Sequence, residues 1–71
     1  PLGLGSDTAG SIRLPAHYCG LAGIRPTNGR VPMTGHWPPF DGLPEFCNST
    51  GPLARSVRDI DLAMGVLAGP D

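Results

Sequence analysis

The chain has 71 residues, with 11 Gly, 9 Pro, apolar residues at 39% and a formal net charge of −1. Collagen is excluded because glycine keeps no three-residue period, and a membrane-spanning helix because no run approaches about 20 apolar residues; the balanced charge gives no support to a nucleic-acid patch or a polybasic membrane anchor. The Gly and Pro content suits a poorly ordered chain, but the varied apolar composition argues against plain disorder. So short a chain buries only about 60% of its unfolded surface. The absence of an initiator Met and of a signal peptide adds to the expectation of a piece of a larger domain.

Residues 1–16, PLGLGSDTAGSIRLPA, read as a Gly/Ser/Thr-rich loop followed by a possible short helix, with Pro15 keeping any helix from growing back through Arg13. Residues 17–54 alternate short apolar runs with turns. Within them 21–25 reads as a buried strand ending before Pro26. Residues 27–30 form a turn around Asn28-Gly29, and 30–33 a second short strand that Pro32 confines to an edge. Residues 36–46 form a proline-stiffened loop packed down by Trp37, Phe40 and Phe46, which either lines a pocket or covers the sheet. A further short strand is expected within 48–54. Residues 55–69 read as a helix. Ser56 and Asp59 resemble a capping box, Asp59 and Asp61 favour the positive end of the helix dipole, and Val57, Ile60, Ala63, Met64 and Leu67 make an apolar stripe before Gly69-Pro70.

The chemistry concentrates in the first stretch. Gly3, Gly5, Ala9 and Gly10 surround Ser6, Thr8 and Ser11, and small residues at this density let a ligand approach the backbone. The amides of Thr8, Ala9, Gly10 and Ser11 could converge on an anion or a developing oxyanion. A Walker A phosphate loop fails because all five basic residues are Arg and no Lys exists. A dinucleotide fingerprint fails at its third glycine. A nucleophile elbow would need G-x-S-x-G, which is absent. A triad of Ser11 with His17 or His36 and Asp7 has no supporting spacing. On the residues alone, Ser11 reads as a turn or N-cap serine. Cys19 and Cys47 are not expected to pair, and with His17 and His36 they lack zinc-ligand spacing.

The full order of residues carries more. Gly5-Ser6-Asp7-Thr8-Ala9-Gly10-Ser11-Ile12-Arg13-Leu14-Pro15-Ala16 resembles the second half of the amidase signature. His17 to Val31 resembles that family's FCG-x-x-G-[LI]-[KR]-P-T-x-G-R-V continuation, and Gly51 to Asp59 its GP-[LM]-A-R-[ST]-V-x-D run into a helix. The resemblance implies an α/β fold with a mixed central sheet flanked by helices, of which residues 1–71 would be a partial amidase domain. It implies a serine hydrolase that cleaves amide bonds through an acyl-enzyme on Ser11, with an oxyanion hole from Thr8, Ala9, Gly10 and Ser11. Ser6 matches a hydroxyl position that hydrogen-bonds near the catalytic serines. Asp7 and Arg13 flank Ser11 and read as a pair that fixes the loop's shape, since the planar fork of arginine can bind several carbonyls. Cys19 takes a position where a small buried thiol is usual. The base implied is a lysine acting through a second serine held by a cis peptide, both upstream of this stretch. The chain by itself is therefore expected to be catalytically incomplete. Ala9 replaces a common glycine, which matters only if its φ must be positive.

No metal or organic cofactor is implied, and the expected location is cytoplasmic. The expected partners are a small-molecule amide and the remainder of the amidase chain, with no nucleic acid and no membrane; a homodimer is left open. The alternatives are the glutamine-hydrolysing subunit of the tRNA-dependent amidotransferase and a non-catalytic fragment. That subunit usually carries SSLDQ-x-GP before the helix, whereas this chain has Phe46-Cys47-Asn48-Ser49-Thr50-Gly51-Pro52, which favours a stand-alone amidase.

Overall fold

The computed structural model describes residues 1–39, 42 and 46–71. In chain order the elements are β1 (Leu2–Asp7), α1 (Arg13–Cys19), β2 (Ala22–Gly23), β3 (Ser49–Ala54) and α2 (Val57–Leu67). The strands form one antiparallel sheet in the order β1-β3-β2, with Leu2 opposite Ala54, Asp7 opposite Ser49, and Ala22 also opposite Ala54. The chain is thus a small α/β unit.

Several expectations change. Residues 2–7, expected to be loop, are strand: Leu2 and Leu4 alternate with Gly3 and Gly5, and pairing to β3 overrides the low strand preference of glycine. The strand expected at 21–25 shrinks to two residues, and Leu21 and Ile24 are 39% and 36% exposed rather than buried. No strand forms at 30–33. Pro15 does not block α1 but lies in its first turn, where the missing amide hydrogen costs nothing.

The strand within 48–54 forms as β3, in the centre of the sheet and with Pro52 inside it. In an antiparallel strand the amide and carbonyl of one residue point to the same side. The Pro52 carbonyl accepts from Ile24 N at 3.3 Å, just beyond the end of β2. The missing amide hydrogen therefore faces Ile24, so the one bond it forgoes lies at the fraying end of the pairing with β2, and the ladder to β1 is untouched.

Successive side chains of β1 alternate between faces. Leu2, Leu4 and Ser6 share one face, and an apolar groove of about 440 Å³ runs from Leu2 and Leu4 to Leu62, Ala63, Val66 and Leu67 of α2. On the other face the side chain of Ile12, fully buried, lies over Gly5, Gly23 and Gly51. A side chain at Gly51 would overlap the Ile24 carbonyl oxygen and come within 2.8 Å of Pro26 Cδ. Gly51→Ala is therefore expected to cost about 3 kcal/mol, read as a drop in the denaturant midpoint at constant slope.

Helix α2 starts as the capping signal requires, with Ser56 Oγ accepting from Asp59 N at 3.2 Å. Ile60 and Ala63 are buried, while Val57, assigned to the apolar stripe, is 74% exposed. The helix ends at Leu67, two residues short of expectation, with Ala68 extended rather than Gly69 left-handed. The turn at 27–30 closes as expected, Arg30 N donating to Thr27 O at 3.0 Å. Trp37 and Phe46 do not pack down onto the sheet; both are exposed. Phe40 lies outside the described residues.

Candidate active site

The centre of the site is a carboxylate. Asp7, at the end of β1, is fully buried. The chain turns around it so that Gly10 N donates to Oδ1 at 2.8 Å and Ile12 N and Arg13 N donate to Oδ2 at 3.1 and 3.3 Å. Arg13 closes a two-pronged bridge, Nε to Oδ2 at 3.0 Å and Nη2 to Oδ1 at 2.9 Å. Asp7 thereby caps the start of α1 from the neighbouring strand, supplying the acceptor that the N-cap residue Ile12 lacks. Asp7 and Arg13 are thus joined directly by two hydrogen bonds.

This arrangement decides where Ser11 lies. Gly10 and Ile12 are buried on either side of it, held by the carboxylate and by the glycine floor of the sheet, and Ser11 between them is exposed. Gly10 has φ +127°, and a Cβ there would meet Leu14 Cδ1 at 2.9 Å, so only glycine fits. No described non-glycine residue has positive φ, so the methyl of Ala9 carries no backbone strain.

Of the four amides expected to receive an oxyanion, that of Gly10 is already engaged. The amide of Gly10 is taken by Asp7, because a buried carboxylate must be hydrogen-bonded where it lies. The amides of Thr8, Ala9 and Ser11 have no partner among the described residues. Ser6 lies on the opposite face of β1 from Asp7, beside a shallow cavity of about 230 Å³ shared with Leu4, His36 and Thr50.

Two residues that sequence reasoning passed over complete the surroundings. Arg25 Nε donates to the Asp7 main-chain oxygen at 3.3 Å and lies 3.5 Å from Oδ1, while its Nη2 donates to Cys47 O at 2.8 Å. Asn48, buried, accepts from the Thr8 hydroxyl at 3.1 Å. The resemblance included Arg25 in its [KR]-P-T run, but no local pattern links positions 7, 25 and 47.

The Asp7 carboxyl is held well below the ordinary aspartate range, first by the Arg13 guanidinium and then by the amides of Ile12, Arg13 and Gly10, against the opposing effect of burial. Asp71 is lowered too, chiefly by the Thr34 hydroxyl and then the Met33 amide. Groups with a depressed folded-state value stabilise the fold above the unfolded value, near pH 4, and that contribution is lost as pH falls toward the folded one. Stability of the complete protein is therefore expected to fall as pH drops below about 4, and Asp7→Asn to flatten part of that fall; urea midpoints between pH 2 and 7 check it.

His17 and His36 are not joined to Asp7, whose oxygens are occupied; His36 Nδ1 pairs with Pro38 O at 3.0 Å. Among the described residues no three His, Cys, Asp or Glu side chains are placed to hold a metal ion. Cys19 is exposed rather than buried, and both cysteines are free thiols. No helix among the described residues is long and apolar enough to cross a membrane.

A sequence profile of the Amidase family matches residues 1–71. The chain is 51% identical over all its 71 residues to a glutamyl-tRNA(Gln) amidotransferase subunit of Thermus thermophilus, covering 14% of that protein. It is 46% identical over all its length to the AtzE subunit of 1-carboxybiuret hydrolase from Pseudomonas sp., covering 15% of it. A solved structure of 6-aminohexanoate cyclic dimer hydrolase superposes on the whole chain with TM-score 0.85 at 36% identity, over 14% of its own length. The chain belongs to the amidase family, and it spans about one seventh of the length of these relatives.

Proposed function

We propose that the protein hydrolyses carboxylic amides through a serine acyl-enzyme on Ser11. The observation that carries the reading is the exposed Ser11 on a loop clamped to the Asp7 carboxylate, with the amides of Thr8 and Ala9 just before it in the chain unpartnered among the described residues. Ser11 Oγ attacks the carbonyl carbon and its proton passes to a base. Thr8, Ala9 and Ser11 amides receive the negative charge on the oxygen; the C–N bond then breaks as the nitrogen takes up a proton, and water releases the acid from the ester. The chain has no Lys, so the base, the lysine and cis-serine that the resemblance implies, would come from elsewhere in the protein. Residues 1–71 are read as part of the amidase domain, whose remainder would cover the apolar groove between β1 and α2. The exposed free thiols suit a reducing cytoplasm.

The test is a fluorophosphonate probe on the complete protein. Labelling is expected on the peptide containing Ser11; labelling of another residue, or none, overturns the assignment. A second reading, a glutamine-hydrolysing subunit, is favoured by the identity to the Thermus amidotransferase protein. It predicts glutaminase activity that rises when companion subunits bind, whereas the stand-alone reading predicts turnover of simple amides without them.

A further inference from the structure

We propose that Arg25 is a positioning residue that aims and strengthens the Thr8 amide as an oxyanion donor. The inference rests on the proposed acyl transfer at Ser11. The oxygen that Arg25 Nε bonds, at 3.3 Å, is the carbonyl of Asp7, and that carbonyl belongs to the same peptide unit as the N–H of Thr8. A peptide unit is planar and trans, so its C=O and N–H point in opposite directions and one cannot turn without the other. Fixing the oxygen on Arg25 fixes the direction of the Thr8 N–H, which points away from the guanidinium.

The guanidinium is itself fixed. Its Nη2 donates to Cys47 O at 2.8 Å and reaches Asn28 Oδ1 at 3.5 Å, and its side chain is only 27% exposed. Asn28 is held in turn by the Ser49 hydroxyl at 2.8 Å and donates to Phe46 O. The next residue of the loop is secured from the other side, where the Thr8 hydroxyl donates to Asn48 Oδ1. The Asp7–Thr8 peptide is therefore held on one side by Arg25, itself tied to Cys47, and on the other by Asn48. A cation on the carbonyl also polarises the peptide, and hydrogen bonds linked in a chain strengthen one another. That gain matters most when negative charge develops opposite the N–H, so it acts on the transition state more than on the bound substrate.

The experiment uses the complete protein with Arg25→Gln and Arg25→Lys. Rates are taken per active site, counted by fluorophosphonate labelling of Ser11. Loss of a whole oxyanion donor typically costs about 10²–10³ in kcat; a donor that stays in place but loses its aim is expected to cost about 10- to 100-fold. KM should move less than about threefold, and a trifluoromethyl ketone that adds to Ser11 should weaken by the same factor as kcat/KM. Lys keeps the charge but not the fork that spans Asp7 O and Cys47 O, so it should fall between wild type and Gln. Unchanged kcat per labelled site in Arg25→Gln, or a rise in KM alone, overturns the proposal. If the Gln variant does not fold, Arg25→Lys decides: a loss of about threefold or more in kcat at constant KM supports the proposal, and wild-type kcat overturns it. Wild-type protein that is not labelled at Ser11 would instead remove the acyl-transfer reading itself.

Discussion

Replacing Ser11 by Ala is expected to lower kcat by a factor on the order of 10⁴ to 10⁶, the range seen when a serine hydrolase loses its nucleophile. The fold should be almost unaffected. Ser11 is exposed, and the loop is held by Asp7, Gly10 and Ile12 rather than by the serine hydroxyl. A surface change of this kind stays within about 0.5 kcal/mol. Turnover, probe labelling and a melting curve on the same preparation check all three statements. Residual turnover above about one per cent of wild type would move the nucleophile elsewhere.

Replacing Asp7 by Ala is expected to destabilise the complete protein by about 4 kcal/mol and to abolish turnover with it. The cost comes from what is left behind. The amides of Gly10, Ile12 and Arg13 lose their acceptor in a site closed to water, and breaking a buried charge network is far more costly than its net value when intact. Arg13 is itself more than half exposed and recovers hydration, so the orphaned amides carry most of the penalty. Asp7→Asn keeps one acceptor oxygen and should lose roughly half as much. A denaturant series on both variants gives the order. Asp7→Ala as stable as wild type would mean that the loop does not depend on its carboxylate.

The two variants separate what the loop does from what holds it. In the proposed reading Ser11 supplies the chemistry and Asp7 the loop's shape. Between them Gly10 has to be glycine, because its φ of +127° is one that residues with a side chain rarely adopt. Its amide donates to Asp7, whereas those of Thr8, Ala9 and Ser11 have no partner among the described residues.

Legibility followed the range of the interaction. The start of α2 was readable because Ser56 and Asp59 are three residues apart and cap locally, and the Asn28-Gly29 turn for the same reason. Strand β1 was missed because two glycines in six residues read as loop until β3, nearly fifty residues later, supplies the partner. The aromatic loop was misjudged in the same way: Trp37 and Phe46 look like core residues by type, but nothing among the described residues covers them.

By itself the order of amino acids determined the family resemblance that singles out Ser11, and the start of the last helix, which rests on neighbours a few positions apart. Only the packed chain decided that Gly10's amide turns inward, that Arg25 reaches from one segment to grip the Asp7–Thr8 peptide in another, and that Pro52 is tolerated inside a central strand. The Arg25 bond joins residues 18 positions apart and leaves no periodic trace, because its geometry exists only once the sheet has brought the segments together; the Gly10 bond spans three positions but depends on the Asp7 carboxylate being buried beneath the loop.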